Sequence, residues 1–502
     1  MKKSCFYTTA ALAILIFAAG CSSSSSDASA DSSQASADSE SASVSGETAI
    51  NSEIYINGNL IDLTGEGASI DLTLLSVENG VEVSAVTEDD EQIFVNGEEY
   101  TGPVSLDVTA IMRDETISIE ITNDEGTADY TINLMPSTLP DYTTEGESQT
   151  DGDYYLTTYD EEVNYIFKLD NQGNLIFYKE TGDNALDFRK QYNSDGEVRY
   201  TYLQYLENTF CGIEAINPGC VVVMDENYTV IDELYYQASD GEEIMIDPHG
   251  FIYIDDGHYI LTAYEDIVVE DIPEDLGAQD DSAYLAVLYV QEVQDSEVLW
   301  EFCSQDYEEF LYATAMVTWD ASTDECYDYM HFNSMYIDND DNLLISCRNI
   351  DSIIKVSRQT GELIWILGGS EDEFGLTEDQ LFSRQHSIIV TDDGSYMLFN
   401  NANTQVSEGK TDVSSIVKLK VDEETMTVTE YSETDTEFYS NYMGAIRELD
   451  SESGIYLYSA GGNYLEGIPE YSMIEYSETE GYLFTFRFDE GYRRLYCANK
   501  CE

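Results

Sequence analysis

The segment IIKVSRQTGELIW, residues 353–365, contains an apolar strand, a polar turn and a second apolar strand. Six segments share this pattern: Tyr165–Tyr178, Val221–Ile231, Leu285–Trp300, Ile353–Trp365, Ile416–Val428 and Met473–Phe484. Equivalent positions in them, at residues 168, 223, 289, 355, 418 and 475, are 55, 66, 66, 63 and 57 residues apart. A β-hairpin that recurs at a near-constant interval is typical of a β-propeller, and six copies predict six blades.

A further hairpin precedes each of the last four segments, and its turn is rich in acidic and small residues. The four turns are Asp255-Asp256-Gly257, Asp340-Asp341-Asn342, Asp392-Asp393-Gly394 and Glu452-Ser453-Gly454. These hairpins are expected to form the first two strands of blades three to six. Because the first strand of a propeller blade lines the central channel, residues at its start are expected at the channel mouth.

Short strands also dominate the region before the repeats. Seven are predicted, at Glu53–Ile56, Ser69–Leu74, Gly80–Ala85, Gln92–Val95, Val104–Ala110, Thr116–Thr122 and Ala128–Leu134. So many strands in so short a region indicate a small antiparallel β-sandwich. The chain is therefore predicted to be all-β, with a sandwich at residues 51–137 and a six-bladed propeller at residues 138–502.

The N-terminus has the features of an export signal. Lys2 and Lys3 are followed by the apolar stretch Ala10–Ala19 and by small residues before Cys21. This order predicts a signal peptide at residues 1–21, and a lipid on Cys21 that anchors an exported protein to a membrane. Ordinary cleavage that leaves Cys21 free is the alternative. Residues 22–50 are mostly Ser, Ala and Asp, which suits a solvated linker.

The charge is strongly acidic, with 20 basic and 101 acidic residues and a net charge of −81. Such a surface excludes nucleic acid as a partner, although it leaves calcium binding open. In an exported protein, the cysteines suggest three short-range disulfides: Cys211 with Cys220, Cys303 with Cys326, and Cys497 with Cys501. Cys347 is left over and is expected to be a buried thiol.

Three of the four histidines lie at the start of a predicted innermost strand: His249, His331 and His386. The second strand of a blade runs back to the same rim, and this places Arg348 beside His331. We therefore expect three imidazoles and one guanidinium to meet at one mouth of the channel. The fourth histidine, His258, follows a turn and is expected to be an ordinary surface residue.

Two kinds of site fit these residues. Three imidazoles suit zinc and leave an open coordination position, but a neighbouring Arg is unfavourable beside a dication. In the alternative, a neutral imidazole attacks an oxyanion ester, Arg348 holds its oxygens and the other imidazoles handle developing charge. The chain has no P-loop glycine motif, so neither a nucleotide donor nor any other cofactor is expected.

Several strings resemble bacterial aryl-sulfate sulfotransferases: Asp247-Pro248-His249, His331-Phe332-Asn333-Ser334, Ser352-Ile353-Ile354-Lys355, Gly361-Glu362-Leu363-Ile364-Trp365-Ile366-Leu367-Gly368 and Gln385-His386. The resemblance covers roughly residues 50–490. It implies transfer of a sulfuryl group from a phenolic sulfate ester to a phenol through a sulfohistidine, without a nucleotide donor.

Carried over by motif, the resemblance assigns the nucleophile to His386 and the acid–base work to His249 and His331. Arg348 would bind the sulfuryl oxygens. Asn333 is a weaker candidate that would orient His331 or bind the ester. A non-catalytic propeller that binds a ligand or partner, and a metal-dependent hydrolase, are the two competing hypotheses. A homodimer is possible.

Overall fold

A computed structural model describes residues 50–63, 69–159, 161–207, 209–213, 216–238, 243–270, 272–276, 282–314, 326–462, 471–489 and 495–501. The predicted signal peptide and nearly all of the predicted linker lie outside these residues. Almost all regular structure in the described part is β. Its α-helices are α1 (Glu309–Ala313) and α2 (Asn403–Ser407), with 3₁₀ turns at Glu274–Leu276, Ser304–Asp306, Arg348–Ile350 and Glu378–Gln380. None of these helices has the length and apolar character needed to cross a membrane.

The first ten strands precede Pro136. They are β1 (Glu53–Ile56), β2 (Asn59–Ile61), β3 (Ser69–Asp71), β4 (Leu74–Ser76), β5 (Val81–Val86), β6 (Gln92–Val95), β7 (Glu98–Glu99), β8 (Val104–Leu106), β9 (Thr116–Asn123) and β10 (Gly126–Asn133). Nine of them form two sheets, in the orders β2-β1-β5-β8 and β3-β10-β9-β6-β7. The sequence predicted an antiparallel sandwich. One pair of strands departs from this prediction, because β3 runs parallel to β10.

The strands of the middle of the chain are β11 (Tyr142–Gly146), β12 (Asp153–Thr157), β13 (Asn164–Leu169), β14 (Leu175–Thr181), β15 (Ala185–Tyr192), β16 (Val198–Tyr205), β17 (Gly219–Met224), β18 (Val230–Leu234), β19 (Tyr236–Gln237), β20 (Glu243–Ile244), β21 (Ile252–Asp255), β22 (His258–Glu270), β23 (Ser282–Gln294) and β24 (Glu297–Cys303). The remaining strands are β25 (Phe332–Ile337), β26 (Leu343–Cys347), β27 (Ser352–Val356), β28 (Leu363–Gly368), β29 (His386–Val390), β30 (Tyr396–Asn400), β31 (Ser415–Asp422), β32 (Thr427–Asp435), β33 (Ala445–Asp450), β34 (Ile455–Ser459), β35 (Met473–Ser477), β36 (Gly481–Phe488) and β37 (Asn499–Cys501).

Within the described residues, these strands form six sheets of four or five strands and one two-stranded sheet. The six are β37-β12-β13-β14-β4, β15-β16-β17-β18, β21-β22-β23-β24, β25-β26-β27-β28, β29-β30-β31-β32 and β11-β36-β35-β34-β33. Each hairpin predicted from the repeat is an antiparallel pair in one of these sheets. The four preceding hairpins are the pairs β21–β22, β25–β26, β29–β30 and β33–β34.

Both chain ends contribute strands that the repeat did not predict. The C-terminal strand β37 pairs with β12, and the early strand β4 pairs with β14 at the opposite edge of the same sheet. One apolar cluster joins residues of the first ten strands, such as Ile54 and Ile132, to residues of the later sheets, such as Tyr154 and Phe486. The region before Pro136 therefore shares its core with the sheets that follow.

Strands β17, β26, β27, β29 and β30 are buried along their whole length. A strand covered on both faces has a continuous apolar sequence rather than an alternating one, and this explains runs such as Leu343–Ile345. The first strands of neighbouring sheets also contact one another, as β25 does β29 and β29 does β33. Residues at the starts of these strands are thereby brought together.

Candidate active site

The three predicted histidines are buried and lie at the starts of first strands. His386 opens β29, His331 directly precedes β25, and His249 comes three residues before β21. The rings of His249 and His331 have their centroids 5.1 Å apart. Arg348, His331 and His249 all lie close enough to His386 to influence its pKa, so the four predicted residues are brought to one place.

The backbone around the cluster adopts conformations that are uncommon for residues with side chains. His331, Arg384, Ser387 and Met443 have φ angles of 50°, 55°, 56° and 59°. The pairing of β29 with β30 also shifts register between His386 and Ile388. Bulges and residues with left-handed backbone conformations redirect side chains and concentrate at functional sites. The positive φ angles and the register shift beside His386 therefore account for the direction in which the imidazoles point.

His386 has a defined tautomer. Its Nδ1 lies 2.8 Å from Asn401 Oδ1 and 3.1 Å from the carbonyl oxygen of Arg384. The amide of Asn401 cannot be reversed, because its Nδ2 donates to the carbonyl oxygens of Ser440 and Met443 at 2.7 and 2.9 Å. Both groups facing Nδ1 are acceptors, so Nδ1 carries the proton and Nε2 keeps its lone pair.

The electrostatic surroundings of His386 keep the ring neutral. Burial is the largest cause and, with the nearby Arg348 guanidinium, lowers the pKa of His386 well below 6.5. The hydrogen bond to Asn401 opposes this change only in part. A neutral imidazole with a free Nε2 lone pair is the form that acts as a nucleophile.

His249 has the opposite electrostatic character. Its Nδ1 lies 2.6 Å from Asp247 Oδ1. Burial alone would lower the pKa of His249, but the Asp247 carboxylate outweighs it and raises the pKa above 6.5. The ring of Tyr496 also packs against it, with centroids 5.8 Å apart. His249 can therefore hold a proton under conditions in which His386 cannot, as an acid–base residue requires.

His331 is held by an acidic residue three positions earlier. Asp328 accepts hydrogen bonds from the backbone nitrogen of His331 at 2.9 Å and faces its Nδ1 at 2.5 Å. The carboxylate therefore fixes both the ring orientation and the proton on Nδ1, which leaves Nε2 for other partners.

Arg348 directly follows β26, and its backbone nitrogen donates to the carbonyl oxygen of His331 at 2.8 Å. This is the adjacency that the sequence predicted. Its side chain donates from Nη1 to Asn349 Oδ1 at 3.3 Å and from Nη2 to the carbonyl oxygen of Asn441 at 3.2 Å. These two contacts, one of them to the segment before β33, fix the position of the Arg348 guanidinium at the site.

A buried arginine, Arg384, stands beside the half-buried Arg348. Arg384 Nη1 donates to the carbonyl oxygen of Arg348 and to Asn349 Oδ1, both at 3.3 Å. Its Nε lies 3.7 Å from Asp351 Oδ1. Burial raises the pKa of Asp351 despite the neighbouring arginines, so this carboxyl only partly offsets their charge.

Asn333 has a different contact from the one predicted. Its Nδ2 donates to the carbonyl oxygen of Gln385 at 2.6 Å, and Ser334 Oγ donates to its Oδ1 at 3.3 Å. It therefore connects the segment before β29 to β25, while Asp328 orients His331. Asn333 also lines a cavity to which His249 contributes.

Among the described residues, one group of three metal-ligating side chains has its ligand atoms within 4.8 Å of one another: Asp338, Asp340 and Glu423. The ammonium of Lys355 already contacts all three carboxylates, at 2.7, 2.8 and 2.6 Å. The three imidazoles do not form such a group. Their arrangement therefore does not favour the zinc site considered from the sequence.

The cysteine pairings suggested by the sequence are not formed, since all seven described cysteines are free. Cys497 donates to Asp187 Oδ1 at 3.2 Å, while Cys501 contacts the carbonyl oxygen of Lys190. Cys347 is fully buried, as predicted. His258 is not an ordinary surface residue, because its Nε2 lies 2.7 Å from Glu292 Oε1 and its side chain is only 20% exposed.

Three residues that position the imidazoles were not identified from the sequence: Asp247, Asp328 and Asn401. Asp247 and Asp328 lie two and three residues before the histidines they contact. An acidic residue that close to a candidate histidine was a usable signal. Asn401 is 15 residues beyond His386, at the end of the returning strand, and only the pairing of β29 with β30 brings it near.

Comparison with solved structures finds proteins of low similarity. A protein of unknown function from Bacteroides caccae is 9% identical, over 70% of this chain and 100% of that chain, with a TM-score of 0.41. Virginiamycin B lyase from Staphylococcus aureus is 11% identical, over 69% and 98% of the two chains, with a TM-score of 0.31. Among the curated proteins, no sequence matches this chain.

A protein-family model gives the decisive comparison. The model described as arylsulfotransferase (ASST) matches residues 217–488, which include all three clustered histidines and Arg348. The match spans more than half of the 502 residues. The chain therefore belongs to the arylsulfotransferase family and is a sulfotransferase.

Proposed function

We propose that the protein transfers a sulfuryl group from an aryl sulfate ester to a phenol, with His386 as the covalent carrier. One observation carries this proposal: His386 is neutral, its proton is held on Nδ1 by Asn401, and Nε2 is left with a lone pair. Nucleophilic catalysis needs an attacking atom in this state, and an adjacent cation to receive the anionic group.

In the first half-reaction, the lone pair of His386 Nε2 forms a bond to sulfur while the bond from sulfur to the aryl oxygen breaks. The leaving oxygen takes the proton from His249, whose pKa Asp247 raises. A phenol has a pKa near 10, so protonation of the leaving group favours departure. Arg348 holds the sulfuryl oxygens with its planar fork.

The attack places positive charge on the His386 ring, and Nδ1–H then donates more strongly. Asn401 Oδ1 and the Arg384 carbonyl oxygen, at 2.8 and 3.1 Å, accept from it in that state. Fixed acceptors aimed at a developing charge stabilise the transition state without reorganisation. The second imidazole, His331, is held by Asp328 and shares the acid–base role.

In the second half-reaction, neutral His249 takes the proton of the phenol acceptor. The phenol oxygen then bonds to sulfur as the bond from sulfur to Nε2 breaks. The acceptor leaves as a sulfate ester, His386 recovers its lone pair and His249 is protonated again. Every atom comes from donor and acceptor, so the cycle needs no nucleotide donor and no cofactor.

We also propose that the six larger sheets are the blades of a closed six-bladed propeller, preceded by the sandwich of residues 51–137. Contacts between first strands of sheets distant in sequence support this arrangement. Tyr496, next to β37, donates to the carbonyl oxygen of Asn333 on β25 at 3.3 Å. Arg447 on β33 lies 3.6 Å from Asp187 on β15. The sequence of residues 1–21 supports export and a lipid anchor at Cys21.

The test is release of nitrophenol from 4-nitrophenyl sulfate by the purified protein, with and without phenol. We expect sustained release only with phenol, and its loss in His386→Ala but not in the control His258→Gln. Sustained release without phenol that a chelator abolishes would instead indicate a metal-dependent hydrolase. Donor binding without any release would indicate a non-catalytic binding protein.

A further inference from the structure

A cavity lined by His249 also contains a charged cluster that the proposed reaction does not use. Asp187 and Arg189 lie on β15, and Arg447 lies on β33. Arg189 Nε donates to Asp187 Oδ1 at 2.7 Å, and Arg447 Nη2 lies 3.6 Å from the same oxygen. Two guanidinium groups therefore share one carboxylate, and the three side chains together carry one positive charge.

The carboxylate is already engaged by other donors. Asp187 Oδ1 also accepts from Asn499 Nδ2 at 3.0 Å and from Cys497 Sγ at 3.2 Å. Burial opposes its ionisation, but the two arginines hold the pKa of Asp187 below its usual value. Asp187 is therefore ionised, and its single charge cannot neutralise both arginines. Burial and the charge of Arg189 accordingly lower the pKa of Arg447.

Three terminal guanidinium nitrogens in this cluster have unused hydrogen-bonding capacity. No described residue accepts a hydrogen bond from either Nη atom of Arg189, whose only bond is from Nε. Arg447 uses Nε for Asn499 and Nη1 for Ser387 and the Ile446 carbonyl oxygen. Its Nη2 has only the 3.6 Å contact with Asp187, which is longer than a hydrogen bond.

The cavity beside these nitrogens has a volume of about 110 Å³. A single water molecule needs roughly 10–15 Å³ by the same measure, so the cavity admits a polyatomic ion. Tyr336 on β25 also lines the cavity. The Arg189 and Arg447 side chains are 32% and 22% exposed, so an ion can reach them from solvent, and planar guanidinium forks match oxyanions better than monatomic anions.

We propose that Arg189 and Arg447 bind a small oxyanion such as inorganic sulfate or phosphate in this cavity, through a pair of guanidinium groups distinct from Arg348. Asp187 and Asn499 belong to the same cluster, and Asn499 lies on the C-terminal strand β37. Occupancy of the site therefore stabilises the attachment of that strand.

Thermal unfolding of Arg348→Gln, in which the imidazole cluster has lost its guanidinium, tests the proposal. Sodium sulfate and sodium phosphate are titrated in separate series against sodium chloride at equal ionic strength. We expect at least one oxyanion to raise Tm saturably, and the better ligand of the two identifies the natural class. The increase should persist when the exposed Arg487 is also changed to Gln, and vanish with Arg189→Gln or Arg447→Gln.

A saturable increase that survives both arginine substitutions, or no increase with either oxyanion, overturns the proposal. Because these variants could fold poorly, a second measurement uses the unmodified protein. Crystals soaked in selenate should show an anomalous scattering peak between the two guanidinium groups. Anomalous signal beside Arg348 alone would contradict a second site, and it would leave the proposed transfer reaction untouched.

Discussion

Asn401 Oδ1 lies 2.8 Å from Nδ1 of His386, although the two residues are 15 positions apart and lie at the adjoining ends of β29 and β30. The contact decides which nitrogen of His386 carries the proton. Asp247 makes the corresponding contact to His249, at 2.6 Å, with a full negative charge instead of a neutral amide. The pKa values of the two buried imidazoles are therefore shifted in opposite directions. The Asp247 carboxylate outweighs burial at His249, whereas the neutral Asn401 amide does not outweigh burial and Arg348 at His386.

Replacing Asn401 with Asp should move the acid limb of the pH profile. Wild-type His386 has a pKa well below 6.5, so lowering the pH to about 6.5 does not protonate it. A carboxylate at position 401 raises that pKa, and activity is then lost at higher pH as the nucleophile becomes protonated. The measurement is kcat/KM against pH, with Asn342→Asp in an exposed turn as the control. Superimposable profiles for Asn401→Asp and wild type would contradict this role.

Asn401→Leu should lower kcat without moving the acid limb of the pH profile to higher pH. The lost hydrogen bond is to a ring that becomes charged in the transition state. Bonds of this kind contribute about 1.5–3 kcal/mol, equivalent to roughly a 10- to 100-fold decrease in rate. Steady-state kinetics with excess phenol measure it, and a change confined to KM would count against the assignment.

Asp247→Asn should lower the rate of transfer most for donors whose phenol is a poor leaving group. The carboxylate raises the pKa of His249, so its removal lowers that pKa and the acid is lost earlier as the pH rises. General acid catalysis contributes roughly 10²- to 10⁴-fold to the rate, and this is the largest decrease in rate that we expect with phenyl sulfate. The loss should be smaller with 4-nitrophenyl sulfate, and Asp295→Asn in an exposed turn should show neither effect. Equal losses for both donors would exclude His249 as the acid.

Arg348→Lys tests whether the guanidinium fork matters beyond its charge. An ammonium keeps the charge but cannot contact two sulfuryl oxygens in one plane. Removing one preorganised donor to a developing oxyanion typically costs about 10²- to 10³-fold in kcat, and we expect a loss in this range. Arg487→Lys serves as the matched surface control. A lysine variant with wild-type kcat would show that a point charge is enough.

The C-terminal strand provides a prediction about stability. Lys500 on β37 forms an ion pair with Glu475 on β35 at 3.0 Å, and the side chains are 1% and 0% exposed. Lys500→Met leaves a buried carboxylate unpaired, for an expected loss of about 3–5 kcal/mol in the free energy of unfolding. The exposed pair of Lys410 and Glu378 is the control, where Lys410→Met should leave the urea midpoint close to that of the wild type. Similar urea midpoints for the two variants would contradict the prediction.

The hairpins of the six larger sheets could be predicted from the sequence because each is local. Apolar runs such as Ile353–Val356 and Leu363–Gly368 are separated by a short polar turn, and their pairing needs no distant residue. The pairings of β37 with β12 and of β4 with β14 could not be predicted, because they join segments far apart in sequence. The parallel pairing of β3 with β10 was missed for the same reason.

The site could be predicted as far as strand register determines it. His249, His331, Arg348 and His386 are brought together because each lies at the same end of a first or second strand. The proton position on His386 was beyond the sequence, since it depends on Asn401, which only the pairing of β29 with β30 brings near. Asp328, in contrast, lies close enough in sequence to His331 to have been identified. The resemblance implied that Asn333 orients His331 or binds the ester, and its side chain donates to the carbonyl oxygen of Gln385 in the neighbouring segment.

Covalent modification of His386 is the most direct test of the proposed transfer reaction. The protein is mixed with 4-nitrophenyl sulfate alone and quenched in alkali, and the intact protein and its peptides are weighed by mass spectrometry. We predict one added sulfuryl group on the peptide that contains His386, its removal by phenol, and its absence in His386→Ala. An unmodified protein during active transfer, or a sulfuryl group on a different residue, would contradict His386 as the carrier.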